Sequence, residues 1–171
     1  GIVNGTEFTF AATENNTAVQ ITLGPNSSPL LNGLPTIQHA AGIPYTVTLN
    51  AGQTYQLRSE FGNDDGSLFD TIPNQADFTG THIQADKPLA VFAGHYASNI
   101  PAYTAAADEL IEQMLPVRAW GIQYFSVPLA LRTGGDRFRV LADQNGTVVS
   151  IDGVAVATLN AGQFYETIRT T

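Results

Sequence analysis

The chain has 171 residues, of which 43% are apolar and only 13% charged, with seven Lys and Arg against fifteen Asp and Glu. This is too apolar and too weakly charged for a disordered chain, and a net charge of −8 leaves no basic stripe for nucleic acid or an anionic membrane surface. With no cysteine, disulfides, thiol catalysis and thiolate metal sites are excluded, and no apolar run approaches the roughly 18 residues of a spanning helix.

The polar residues are mostly neutral, with nineteen Thr and eleven Asn against the single lysine, Lys87. Thr-rich, Lys-poor, acidic chains of this kind are frequent among exported β proteins. The start at Gly1-Ile2-Val3 reads as an excised domain or a mature product.

Most segments read as short strands, being rich in Thr, aromatic and β-branched residues. In chain order they are 8–12, 18–21, 45–49, 54–57, 89–92, 124–129, 138–142, 148–151 and 164–168. Turn residues separate them at Glu14-Asn15-Asn16, Asn50-Ala51-Gly52, Asn145-Gly146 and Asn160-Ala161-Gly162. Asp152-Gly153 between two apolar runs predicts a two-residue hairpin. The segment 104–115 differs, because Ala, Leu, Glu, Gln and Met favour a helix. There Leu110, Ile111, Met114 and Leu115 fall on one helical face, with Thr104 and Asp108 placed to cap and Pro116 to stop it.

The chain repeats itself. Phe8, Ala12, Asn15, Thr17, Val19 and Ile21 recur as Phe138, Ala142, Asn145, Thr147, Val149 and Ile151. The run Thr48-Leu49-Asn50-Ala51-Gly52-Gln53-x-Tyr55 recurs as Thr158-Leu159-Asn160-Ala161-Gly162-Gln163-x-Tyr165. The first copy carries a Gly-, Pro-, Ser- and Asn-rich insert between Thr22 and Tyr45, which reads as a surface loop. It also has segments at 80–83 and 87–92 whose counterparts would follow Tyr165, so either the second copy lacks those strands or the sequence stops before them. A duplicated run of four strands predicts two related sheets or half-domains.

Five segments together carry a family resemblance: GTEFTFAATENNT (5–17), VTLNAGQTYQLRS (47–59), DFTGTHIQADKPLAVFAGH (77–95), DELIEQMLPVRAWG (108–121) and RTGGDRFRVLADQNGTVVSIDG (132–153). In order and spacing they resemble the N-terminal domain family of the mucus IgG Fc-binding protein, also found in bacterial surface proteins. The resemblance implies an extracellular, non-catalytic module of large surface or secreted proteins, with roles in adhesion or mucus binding. It supplies no catalytic residues. Members of that family often carry a cysteine pair where this chain has Ala97 and Ala107. The stretch 60–75 also looks longer than the family's.

Each candidate site also has an ordinary structural reading. Asn63, Asp64, Asp65 and Asp70 surround a Gly turn and, with Asp77, offer oxygen ligands of the kind calcium takes, although the spacing is not that of an EF-hand. A solvated turn explains the same residues. Tyr96, Tyr103 and Trp120, with Arg118, are aromatic and cationic groups suited to stacking on a sugar or anchoring a protein ligand. A core Trp is the plainer role for Trp120. His39, His82 and His95 lack ligand spacing. Glu109 and Glu112 share a helical face, as a glycosidase pair or a polar surface would. No G-x-S-x-G elbow occurs. Asn4, Asn15, Asn26 and Asn145 head N-glycosylation sequons, but the repeat positions of Asn15 and Asn145 favour turn chemistry. Lys87, the one residue able to form a Lys–Asn isopeptide crosslink, reads as a solvated strand-start charge.

The expectation is an all-β protein of two packed antiparallel sheets, a β-sandwich with one short helix near 104–115. It is read as a single domain, 1–171, built from two related repeats at about 5–95 and 121–171. The expected function is an extracellular, non-enzymatic binding or adhesion module holding a glycan, glycoprotein or protein ligand through the loops 24–44, 60–75 and 97–107. It would sit among neighbouring domains of a larger cell-surface chain, with calcium as candidate cofactor. A structural spacer or filament subunit completed by a neighbour's strand is the alternative.

Overall fold

A computed structural model describes residues 6–25, 27, 39–58, 77–98, 106, 108–127, 129, 131 and 134–170. The strands are β1 (Thr6–Ala12), β2 (Thr17–Thr22), β3 (Tyr45–Leu49), β4 (Thr54–Arg58), β5 (His82–Ala85), β6 (Leu89–Ser98) and β7 (Asp108–Gln113), then β8 (Asp136–Leu141), β9 (Thr147–Ile151), β10 (Val154–Leu159) and β11 (Phe164–Arg169). One 3-10 turn, Val117–Ala119, precedes Trp120. All pairings are antiparallel. The chain divides into two compact units, 1–114 and 115–171.

Unit 1 is a sandwich of a four-stranded sheet, β4-β1-β6-β7, and a three-stranded sheet, β3-β2-β5. Alternation along β1 and β2 sends Phe8, Phe10, Val19 and Ile21 inward, where they meet Leu23, Leu57 and Phe78 in one buried cluster. The Phe8 and Phe78 rings meet edge to face at 5.2 Å, and Phe10 stacks on Tyr55 at 5.3 Å. Ile83 and Ala85 of β5 and Leu89, Val91 and Ala93 of β6 close the cluster's sides.

Unit 2 pairs β8 with β11 and β9 with β10. Its smaller core is Ala142, Val149 and Leu159, flanked by Val140, Ala157 and Tyr165. The sequence repeat is matched bond for bond. The Asn15 side chain accepts the Ala51 N–H at 3.0 Å, and Asn145 accepts that of Ala161 at the same distance. Asn50 N–H donates to Gln53 Oε1 at 2.7 Å, and Asn160 N–H to Gln163 Oε1 at 2.8 Å. Gly52 and Gly162 both take φ +79°, and Asn16 (φ 55°) stands where Gly146 (φ 73°) stands in the second copy. Strand register is conserved too: Phe8 faces Leu57 as Phe138 faces Thr167, and Thr17 faces Leu49 as Thr147 faces Leu159. Asp152 (φ 52°) and Gly153 (φ 81°) form the expected two-residue turn between β9 and β10.

Two local expectations are corrected. The helix near 104–115 is absent where the segment is described: 108–113 is strand β7, paired to β6 with Phe92 opposite Gln113 and Gly94 opposite Ile111. The open edge of β6 supplied backbone partners that outweighed helical propensity, since the Met114 N–H also donates to the Val91 carbonyl at 2.8 Å. Glu109 and Glu112, three apart on a strand, therefore point to opposite faces, which removes the paired-acid reading. The expected strand 124–129 is also absent among its described residues, which are irregular and exposed. Alternation marks a strand only where a neighbouring ladder receives it, and no described strand pairs there.

Candidate binding surface

The calcium candidates divide at the edge of the described residues. Asn63, Asp64, Asp65 and Asp70 lie outside them. Asp77 is buried, and its Oδ1 accepts both the Thr79 N–H at 2.8 Å and the Thr79 hydroxyl at 2.7 Å. Beside it, the Phe78 N–H donates to Thr6 Oγ1 at 2.8 Å. Asp77 thus fixes the turn that delivers Phe78 to the core. Among the described residues no group of three or more His, Asp or Glu is arranged to hold a metal ion.

The ligand-binding candidates fall in both units. Tyr96 stands near the end of β6 in unit 1 and is 66% exposed. Trp120 and Arg118 belong to unit 2, and Tyr103 lies outside the described residues. Trp120 is 38% exposed, so it is not the core anchor its type suggests. Its indole N–H donates to the Leu115 carbonyl at 3.3 Å, which pins one ring edge.

The spacing of the candidates does not show what surrounds Trp120 in unit 2. Leu115, Ile122, Tyr124, Phe125, Val127 and Leu129 are all exposed. One bond ties the segment to β8, from Leu129 N–H to the buried Asp136 Oδ2 at 2.6 Å, and a local one, from Gly121 N–H to the Tyr124 hydroxyl at 2.9 Å, closes the turn after Trp120. A tethered run of large apolar and aromatic side chains is the surface type that marks protein interaction sites. The only sequence signal for it was the density of large apolar and aromatic residues in 115–129, part of which, 124–129, also reads as a strand.

Electrostatics in unit 2 centre on Glu166. Burial pushes its carboxyl up, but hydrogen bonds from Arg139 and Arg137 outweigh this and hold its pKa below the ordinary range. The Arg139 guanidinium also lies over the Phe164 ring at 4.1 Å. The β8–β11 face is thus a closed ionic and aromatic cluster. In unit 1, desolvation lowers the pKa of His95 against the attraction of Glu7 and Asp77, so the ring is held neutral. Its Nδ1 accepts the Ala97 N–H at 3.1 Å. His39 stacks on Tyr45 at 3.7 Å, with its pKa also lowered by burial. Both rings are thus engaged with neighbouring groups of unit 1.

Fold and surface together define an all-β module with an exposed aromatic segment. The chain matches the family described as IgGFc binding protein over residues 2–171, and it belongs to that family. It is 28% identical over 141 residues to the human IgGFc-binding protein, an alignment covering 82% of this chain and 2% of that relative. No solved structure is matched. No described helix is long and apolar enough to cross a membrane.

Proposed function

We propose that the chain is an extracellular, non-catalytic binding module that holds a protein or glycoprotein ligand, as one unit of a larger surface or secreted protein. The observation that carries this reading is the exposed aromatic run from Trp120 to Phe125. Large apolar side chains on a tethered segment can bury against a partner with little ordering cost. Family membership along nearly the whole chain supports it, since the relative's name is that of a protein binder. The net charge of −8 favours a neutral or basic partner face. Calcium enters as a separate element of the proposal, held by the loop of Asn63, Asp64, Asp65 and Asp70 with Asp77.

Immobilised IgG Fc and a mucin-glycan array, each probed with calcium and with a chelator, test this reading. Saturable binding that weakens at least about tenfold in Trp120→Ala and Phe125→Ala is the expected result. Loss of binding in the chelator supports the acidic loop as a calcium site, and unchanged binding removes calcium. Binding that both substitutions leave intact would place recognition elsewhere and overturn the assignment of the surface.

A further inference from the structure

The outer face of the three-stranded sheet of unit 1 carries a row of polar side chains. Gln20 of β2 faces Thr46 of β3 on one side and Gln84 of β5 on the other, and all three are exposed, while Val19 and Ile21 point into the core. Two residues before Gln20, on the same face, Ala18 lies between Thr48 and Asp86. Its N–H donates to Asp86 Oδ1 at 2.9 Å, and its carbonyl accepts the Asp86 N–H at 3.2 Å. The small Ala18 side chain leaves a shallow hollow of about 280 Å³, lined by Ala18, Gln20, Thr46, Gln84, Ala85 and Asp86. Among the described residues, the side chains of Gln20, Thr46 and Gln84 and the Oδ2 atom of Asp86 make no hydrogen bond within the protein. The fold does not demand this row. The repeat keeps Thr17, Val19 and Ile21 as Thr147, Val149 and Ile151, but it has Val148 and Ser150 where Ala18 and Gln20 stand, and Ser150 faces Ala155.

We infer that this hollow is a binding subsite for a neutral sugar residue. Two carboxamides, a hydroxyl and a carboxylate oxygen set donors and acceptors side by side, with neighbouring members of the cross-strand row about 5 Å apart at Cβ. A sugar ring presents adjacent hydroxyls, each both donor and acceptor, and a carboxamide or carboxylate bridges such a pair with two hydrogen bonds. The Ala18 methyl gives the C–H face of the ring an apolar floor. The volume is at the small end of ligand sites and suits a single ring. A protein ligand has less to hold here. β2 is paired on both sides, so it offers no edge for strand addition, and no aromatic side chain lines the hollow as an anchor. The Asp86 carboxylate and the net charge of −8 disfavour carboxylated and sulfated sugars. The site belongs to unit 1 and does not depend on the aromatic surface of unit 2.

The test titrates the isotope-labelled whole chain with lactose, maltose and N-acetylglucosamine as neutral probes and with glucuronate as the charged one, followed by amide chemical shifts. Saturable millimolar binding of at least one neutral probe is expected, with shifts at the Gln20 and Gln84 side-chain amides and the Thr46 and Asp86 backbone amides, and weaker binding of glucuronate. Gln20→Ser and Ala18→Val bring in the residues that the second copy carries at these positions, so both variants keep the fold, which thermal unfolding checks. Each weakens binding at least about fivefold, the first by removing a carboxamide and the second by filling the floor. Thr158→Ala, on the β9–β10 sheet of unit 2, leaves the affinity unchanged. No saturable binding of any neutral probe, shifts confined to unit 2, glucuronate binding as tightly as the neutral probes, or affinities that both unit 1 substitutions leave intact would each overturn the inference.

Discussion

At the scale of single residues, a few close approaches carry much of the structure. A Cβ on Gly24 would stand 2.3 Å from the Thr79 carbonyl oxygen, backbone against backbone, where neither side has a flexible end to move. Gly24→Ala is expected to cost about 1–3 kcal/mol by overpacking. Gly134, with open space around its Cβ position, is the control: Gly134→Ala stays within about 0.5 kcal/mol. Denaturant titration of both variants checks the pair. His95 gives a pH dependence with a defined sign. Its folded pKa lies below the 6.5 of the free side chain, so the unfolded chain binds the proton more readily. Stability is full above about pH 6.5 and is lost as the pH falls from there through the lowered folded value. Denaturation midpoints at about pH 7.5 and about pH 5.5 should differ, and His95→Gln should shrink the difference. His39 has the same sign and keeps it from vanishing.

At the scale of elements, the repeated turn is the clearest case of sequence dictating structure. Asn15 and Asn145 close the same turn onto Ala51 and Ala161, so Asn15→Ala and Asn145→Ala should each cost about 1 kcal/mol, read by thermal unfolding. A large effect in one copy and none in the other would contradict the equivalence. These turns, the two-residue hairpin at Asp152-Gly153 and most strands were legible because each rests on local chemistry: a side-chain acceptor, a positive φ, an alternating run. β7 was not. Its residues favour a helix, and only pairing with the edge of the preceding strand β6 makes them a strand. The segment 124–129 failed in the opposite sense, having the pattern of a strand but no described ladder to join. Asp77 was legible as a functional oxygen donor only by type, and what the structure shows of it is a buried cap for the Thr79 turn. The exposure of Trp120 was illegible for a related reason, since burial depends on what the rest of the chain brings to the ring.

At the scale of the whole molecule, the chain contains one four-strand motif twice, flanked on both sheets by an extra arm, β5 and β6, in the first copy and by none among the described strands of the second. That reading makes a quantitative demand on the backbone. Ala18 and Gln20 are covered by β5 and the bend at Asp86, whereas Val148 and Ser150, their repeat partners, have no described strand beside them. Native-state hydrogen exchange on the free chain, resolved to single amides, measures both pairs in one experiment. The account predicts strong protection at Ala18 and Gln20 and exchange at Val148 and Ser150 at least about a hundredfold faster. Equal protection of the two pairs would mean that the second copy's edge is already filled, and would contradict it.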